Sequence, residues 1–403
     1  MVKIQSTKRI IKKNNLDFFA SYILFFPPLM HGIGQSYSLG IVICALTLTP
    51  FYLRVLFGSS AKRRMLWLIV FFLLYSPISF YINAINGRDP DLTRWIQGSL
   101  AIMCLMILAS IFSHIYLNDM KAKDWYTNNF KIFTALAIYS HMVLFLRFAH
   151  ISPLNGQINS IIGIFSEPSH IAYVTAFLLF VKYSYYTRGV FLIYLFAALA
   201  FAVGIGSLVG TLVLMCVLFV VAERFQKYLV VIFSLLMVYF LWTTSNDFSF
   251  AAGSINLTGA VYLSGWQQAF IYLTETRLMG LGVNQFGVNG SQGFYADIIA
   301  KITDEEPNKY DGSFAFAKLV GEFGIFALFL TVYLLKIWTK CFIGNKHMKK
   351  SFLFGMVASY VILYFFRSPG YVCGASVIIL AVVVNPELII KSINKEMQMR
   401  LHT

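Results

Sequence analysis

The stretch 165–170 (FSEPSH) lies between two long apolar runs and carries residue types that acid–base chemistry needs. Pro168 favours the first turn of a helix, and His170 lies about one turn from Glu167. We interpret Glu167, with His170 beside it, as a general base or as a charge that stabilises a cationic, sugar-like transition state. The alternative is that Glu167 complements the N-terminal dipole of the following helix and that His170 is a polar residue at a membrane surface.

Arginine supplies the second set of candidates, because its planar guanidinium forms forked hydrogen bonds with phosphate oxygens that lysine does not form. In the membrane topology that the charges predict, five of the eight outward-facing basic residues are arginines, a larger share than on the inward side. This bias favours a phosphate-bearing ligand. In the alternative, the arginines pair with nearby acids such as Asp89 and Asp91, or extend to lipid head groups. The outward arginines are Arg88, Arg94, Arg147, Arg277 and Arg367.

Further polar residues are candidates for contacts with sugar or with a metal ion. Tyr310 and Asp311 precede a predicted membrane span and could hydrogen-bond sugar hydroxyls. The acidic run 304–306 lacks the glycine-bearing spacing of a calcium loop, so we interpret it as a solvated loop, with a weak divalent site as the alternative. The five cysteines include no CxxC pair and indicate neither a disulfide framework nor a zinc site. The sequence therefore predicts no metal and no cofactor.

Composition indicates that these residues belong to a membrane protein. Hydrophobic residues make up 58% of the 403 residues, charged residues only 12%, and the mean hydropathy is +0.71. A soluble domain cannot bury that much apolar surface, and apolar stretches of roughly 17–25 residues bounded by charges are typical of transmembrane helices. Because a backbone in lipid must satisfy its own hydrogen bonds, the spans are expected to be helical. We predict an all-α, polytopic helical bundle that forms one domain over residues 1–403.

The distribution of charge predicts the topology. The net charge of +15 does not indicate nucleic-acid binding, because basic residues alternate between the ends of successive apolar runs, as the positive-inside rule requires. The basic start of the chain precedes an apolar run without a small-residue cleavage site, which favours an uncleaved first span. We predict about twelve spans, with both termini in the cytoplasm. They cover residues 16–33, 37–57, 65–83, 95–117, 130–149, 169–184, 228–243, 314–336, 351–366 and 371–386, with two more inside 189–222.

One large periplasmic loop, residues 244–313, is predicted between spans 9 and 10. Within it, residues 261–277 have apolar side chains at helical spacing, which predicts an amphipathic helix at the outer membrane surface with its apolar face towards the lipid. A Gly-Leu-Gly turn follows at 280–282. The sequence has no internal repeat of the kind that many secondary transporters carry. The apolar positions of the helix are Tyr262, Trp266, Ala269, Phe270 and Leu273.

Several stretches between residues 160 and 375 together carry a family likeness. They are FSEPS at 165–169, GSLVG at 206–210, the helix from Trp266 through GLG at 280–282 to Phe286, GEFG at 321–324 and FRSPGY at 366–371. In their order and topology they resemble the O-antigen polymerases of the Wzy type. These are multi-span proteins of the bacterial inner membrane and are related to the O-antigen ligases.

The resemblance implies a metal-independent glycosyltransferase whose active site faces the periplasm. A growing glycan would be transferred from undecaprenyl pyrophosphate to the non-reducing end of an incoming undecaprenyl-pyrophosphate-linked repeat unit. It implies Arg277 and Arg367 as pyrophosphate ligands, and Glu167 or His170 fits the task of activating the acceptor hydroxyl. The partners it implies are these lipid-linked oligosaccharides, the bilayer and a chain-length co-polymerase.

Other functions remain as alternatives. An O-antigen ligase would carry a histidine in the large outer loop, but residues 244–313 contain none and the expected position reads Asp-Gly-Ser at 311–313. No basic residue stands directly ahead of Trp266, which departs from the pattern and weakens the Arg277 assignment. A transporter of lipid-linked oligosaccharide would carry ionisable residues at mid-span, whereas most lie at the outer rim. A purely structural subunit would leave the outward arginines unexplained.

Overall fold

The computed structural model describes most of the chain outside one long central stretch. The described ranges are 15–32, 36–56, 62–119, 224–244, 257–288, 293–303, 312–343, 352–366 and 370–388, with the single positions or pairs 215–216, 219, 222 and 310. The predicted spans 130–149 and 169–184, and nearly all of 189–222, lie outside these residues.

The described part of the chain is helical and contains no strand. Its helices are α1 (Asn15–Gly32), α2 (Tyr37–Leu56), α3 (Lys62–Ile85), α4 (Leu92–Asp119), α5 (Arg224–Thr244), α6 (Leu257–Glu275), α7 (Phe294–Thr303), α8 (Ala315–Phe323), α9 (Ile325–Ile343), α10 (Phe352–Phe366) and α11 (Gly374–Val384). The all-α prediction is confirmed for this part, and helices occupy the predicted spans 1–4, 9, 11 and 12.

Two of these helices are long and apolar enough to cross a membrane, over Arg64–Ile85 in α3 and Leu92–Tyr116 in α4. Both have a mean hydropathy of 2.0. Shorter apolar helical stretches occur in α2, α5, α9 and α11. The number of spans and the orientation of the chain stay predictions.

Helix α4 is the centre of the bundle. It packs against α1, α2, α3 and α11. In its most apolar 18-residue stretch 67% of the residues are buried, whereas in that of α3 only 28% are. Its inner positions include the fully buried Phe112 and Tyr116, which pack with Phe19 of α1. The outer side of α3 leaves large apolar side chains such as Trp67 and Leu74 exposed. An apolar outer face is expected of a helix that contacts lipid rather than water.

The predicted span 314–336 is divided into two helices, which hydropathy did not indicate. Helix α8 ends at Phe323, Gly324 adopts a positive φ of 57°, and α9 begins at Ile325. The amide of Ile325 donates to Leu278 O at 2.8 Å, so the loop that follows α6 packs directly against the break. A Cβ on Gly324 would lie 2.0 Å from Leu278 O. A glycine is therefore required here both by the backbone conformation and by the close approach of the loop.

The predicted amphipathic helix is present as α6, but its burial differs from the prediction. Ala269 and Leu273 are buried, whereas Phe270, on the predicted apolar face, is 54% exposed and the polar Gln268 is 5% exposed. The reason is that α6 packs against α7 and α8 on more than one side. Helix α7, which the sequence did not predict, lies in the same outer segment.

We expect Gly324→Ala to destabilise the protein by at least about 2 kcal/mol, because alanine is strained at positive φ and its Cβ would collide with Leu278 O. The measurement is the midpoint of thermal unfolding of the purified protein in detergent. Gly259→Ala is the control, since a Cβ there meets nothing within 4 Å inside helix α6 and alanine favours a helix. Equal midpoints for the two variants would contradict this account of the break.

Candidate functional site

The segment 276–288, which follows helix α6, forms a tightly folded loop. Thr276 closes the helix: its hydroxyl donates to Tyr272 O at 2.6 Å and accepts from the Gly280 amide at 2.7 Å. The chain then reverses through left-handed conformations at Arg277 (φ 50°) and Leu278 (φ 72°), and again at Asn284 (φ 56°). Non-glycine residues rarely adopt this conformation, so the surroundings must impose it.

Arg277 occupies a position that usually favours glycine. Left-handed backbone costs a residue with a Cβ about 1–2 kcal/mol, and Arg277 is exposed, so its side chain gains little from packing in return. Among the described residues, its guanidinium has no hydrogen-bond partner. An arginine held in strained backbone with its charge at the surface is an observation that calls for a functional explanation.

Arg88, in the segment between α3 and α4, lies beside the end of α6. Its guanidinium donates to Asn83 Oδ1 and to Glu275 O, each at 2.8 Å. Both acceptors are uncharged, so these bonds orient the guanidinium without neutralising it. The sequence analysis gave an ion pair with Asp89 as the alternative, but these hydrogen bonds go to other acceptors.

Arg94, in the first turn of α4, lies against the other end of the loop. Its Nε donates to Asn284 O at 3.1 Å, and Asn284 Nδ2 donates back to Arg94 O at 2.9 Å. Its Cζ lies 4.1 Å from the centroid of the exposed Tyr310 ring, a cation–π distance. Asp91, the expected partner, instead accepts from the Arg94 backbone amide at 3.0 Å and caps the helix.

Helices α3 and α4 hold the loop through the buried side chains of Tyr75 and Asn83 and through the backbone of Asp91. Asn83 Nδ2 donates to Gly280 O at 3.2 Å, which ties α3 to the Gly-Leu-Gly turn. Gln285 and the Asp91 backbone exchange two hydrogen bonds of 2.8 and 2.9 Å. Tyr75 donates its hydroxyl to Met279 O at 2.7 Å or to Glu322 O at 2.9 Å. The loop is therefore fixed to the helices along its whole length.

Glu322, near the end of α8, is the charged centre of this arrangement and was not among the predicted site residues. Its side chain is fully buried (0% exposed). Its carboxylate accepts from the Asn284 amide at 2.9 Å, from the Phe286 amide at 3.4 Å and from the Tyr371 hydroxyl. In sequence its signals are the GEFG stretch at 321–324, which contributes to the family likeness, and Lys318, four positions earlier, which is the spacing of a helical ion pair.

The Tyr371 hydroxyl, which is buried, donates to the Glu322 carboxylate, and the amides of Asn284 and Phe286 donate to it as well. Glu322 then serves as the acceptor for three donors at once.

Four of the predicted site residues lie together at this loop: Arg277 on the loop, Arg88 at its start, Arg94 at its end, and Tyr310 beneath Arg94. Glu167, His170, Arg147, Arg367 and Asp311 lie outside the described residues. Within the described ranges, no group of three or more His, Cys, Asp or Glu side chains could hold a metal ion.

No family model, curated protein or solved structure matches this chain. The chemistry of the site is therefore argued from its own residues. Three guanidinium groups surround one loop, and the hydrogen bonds that orient two of them go to uncharged acceptors. Such an arrangement can bind an anion with more than one negative charge, since each guanidinium offers several donors to phosphate oxygens.

We expect Asn83→Leu to lower the free energy of unfolding by about 1–3 kcal/mol, because Gly280 O and Arg88 each lose a partner in a buried region while the side-chain volume is kept. Asn86→Leu, at an exposed position on the same helix end, is the matched control. Thermal unfolding in detergent measures both. If the two variants unfold at the same temperature, the loop does not depend on this side chain.

Proposed function

We propose that the protein is a membrane glycosyltransferase of the O-antigen polymerase type. The reaction would transfer a growing glycan from undecaprenyl pyrophosphate to an incoming lipid-linked repeat unit at the periplasmic face. The observation that carries the proposal is the grouping of Arg88, Arg94 and Arg277 around the loop 276–288. Residues that are far apart in sequence thus present guanidinium groups to one region.

The chemistry needs a group that binds the leaving pyrophosphate. The bond that breaks joins the anomeric carbon of the donor sugar to a pyrophosphate oxygen, so negative charge grows on the phosphates in the transition state. Guanidinium groups that are already oriented stabilise that charge without a further cost of reorganisation. Arg277, with an exposed guanidinium on strained backbone, is proposed as the principal pyrophosphate ligand, with Arg88 and Arg94 beside it and Arg367 as a further ligand.

The acceptor side of the reaction needs a base and a glycan-binding surface. The new bond forms between the acceptor hydroxyl oxygen and the anomeric carbon, and the hydroxyl proton passes to Glu167 or His170 as the proposed base. Arg147 is a further proposed ligand of the substrate. Tyr310, which is 46% exposed and stacked on Arg94, is proposed to contact the sugar together with Asp311.

The membrane setting of the proposal is supported by α3 and α4, which have the length and composition to cross a bilayer. The polar contacts of the loop are made by Tyr75 and Asn83 of α3 and by the Asp91 end of α4, so the loop packs along the second half of α3 up to its Asn83 end. We propose twelve spans in the inner membrane, with this end facing the periplasm. The co-polymerase and the lipid-linked substrates are proposed partners.

The first test replaces Arg277 in two ways. We expect both Arg277→Ala and Arg277→Gly to abolish long glycan chains, because the pyrophosphate ligand is lost. Arg277→Gly should in addition be more stable than Arg277→Ala by about 1–2 kcal/mol, because glycine relieves the strain at positive φ. The measurements are a purified reaction with defined lipid-linked repeat units, sized on a gel, and thermal unfolding.

The control for charge is Arg64→Ala. Arg64 is exposed near the start of α3, at the end remote from Asn83, and donates to Val384 O at 3.3 Å. It should leave chain length unchanged. Long chains from either Arg277 variant, at normal protein level, would overturn the proposed role of this residue.

A second test concerns topology. A cysteine placed at Ser291, in the predicted periplasmic loop, should react with a membrane-impermeant thiol reagent in intact cells. A cysteine at Lys346, in a predicted inner loop, should react only after lysis. The unaltered chain, which carries five cysteines, gives the background. The opposite labelling pattern would invert the orientation and place the loop in the cytoplasm.

A further inference from the structure

We infer that Glu322 is a positioning residue for the proposed reaction: its buried carboxylate holds the Arg277 loop in its strained conformation and joins it to Tyr371. The inference rests on the proposed function, because it concerns the loop that carries the proposed pyrophosphate ligand. It adds a residue that contacts no substrate and acts through the arginine it positions.

The first observation is the number of donors that meet at this one residue. Its carboxylate accepts from two loop amides and from Tyr371, and its main-chain oxygen accepts from the Gly282 amide at 3.0 Å. The Tyr75 hydroxyl lies 2.9 Å from the same main-chain oxygen and donates its one proton to it or to Met279 O. The neighbouring Gly321 O accepts from the Leu281 amide at 2.8 Å. Carbonyls at the end of α8, which have no partner within the helix, are thus satisfied by the loop.

The second observation is the closeness of the packing around these bonds. A Cβ on Gly280 would lie 2.4 Å from Glu322 O, and a Cβ on Gly321 would lie 2.7 Å from the Phe286 ring. The loop and α8 are therefore in direct contact at these two positions. A change at Glu322 is therefore expected to shift the backbone of the loop.

The third observation excludes a direct chemical role for Glu322. Its side chain is not exposed, and its oxygens are occupied by amide and hydroxyl donors. A general acid or base must reach the proton it transfers, directly or through one water molecule. A buried carboxylate that is fully hydrogen-bonded instead fixes the groups that donate to it.

Tyr371 extends the same contact to a second part of the chain. It is buried, and the Lys318 Nζ lies 5.9 Å from its ring centroid. Arg367 lies outside the described residues, but it precedes Tyr371 by only four positions, so the anchored tyrosine limits how far that part of the chain can reach. Tyr371 joins the segment 370–373 to the loop through Glu322, and it also contacts the backbone of Asn284 on the loop directly.

The test compares two disruptive variants with a matched control. Glu322→Gln keeps the shape but offers one acceptor oxygen to three donors, and Tyr371→Phe removes only the donating hydroxyl. Tyr364→Phe is the control, because it also removes a buried hydroxyl, one that pairs with Thr331 Oγ1 at 2.9 Å between α9 and α10. A general loss of stability should be similar in both tyrosine variants.

Two measurements separate positioning from stability. Amide hydrogen exchange should rise about tenfold or more at residues 276–288 in Glu322→Gln and Tyr371→Phe, but not in Tyr364→Phe. Inorganic pyrophosphate should raise the unfolding temperature of the unaltered protein, and the apparent Kd from this shift should weaken about tenfold in the same two variants and less than twofold in the control.

The outcomes are distinct. Unchanged exchange at residues 276–288 in both disruptive variants would overturn the inference, and so would raised exchange with an unchanged pyrophosphate affinity. Failure of the proposed function gives a different result. In that case, pyrophosphate would not stabilise the unaltered protein and Arg277→Ala would still make long chains, while the exchange data would still report whether Glu322 holds the loop.

Discussion

A buried carboxylate surrounded by hydrogen-bond donors is the constraint on which the loop 276–288 depends. A buried charge is tolerated only where donors surround it. Glu322 obtains them from the backbone amides of Asn284 and Phe286 and from the hydroxyl of Tyr371. The loop can supply its amides only by adopting left-handed conformations, at Asn284 among others. The strained loop conformation therefore supplies the donors that the buried acid requires.

This arrangement leaves the arginines free for a different task. The acid at the centre pairs with hydroxyl and amide donors, with Lys318 as the nearby cation, while Arg88 and Arg94 are oriented by neutral oxygen acceptors. These hydrogen bonds orient the guanidinium groups of Arg88 and Arg94 without neutralising them. For a reaction that expels pyrophosphate, such preorganised charge is the contribution a protein can make most effectively.

Helices α3 and α4 form an apolar frame and also hold the loop 276–288. Over most of their length their side chains are apolar, and α3 leaves large apolar groups exposed on its outer side. Tyr75, Asn83 and the backbone of Asp91 bind the loop, the last through Gln285. Tyr75 lies near the middle of α3 and Asn83 near its end, so polar groups satisfy the irregular loop backbone along the second half of this helix.

The sequence alone determined the all-helical character and the approximate position of most described helices, because apolar runs between charges leave the backbone no other way to satisfy its hydrogen bonds. It also identified Arg88, Arg94 and Arg277 as candidate ligands of a phosphate group. It marked Glu322 only as part of the GEFG stretch, without a role, and it did not indicate the break at Gly324 or helix α7. Tyr75 reaches Met279 across 204 positions, and Asn83 reaches Gly280 across 197. Periodicity reports only neighbours within a few turns, so only the tertiary structure could decide which loop those distant donors fix and which buried acid that loop surrounds.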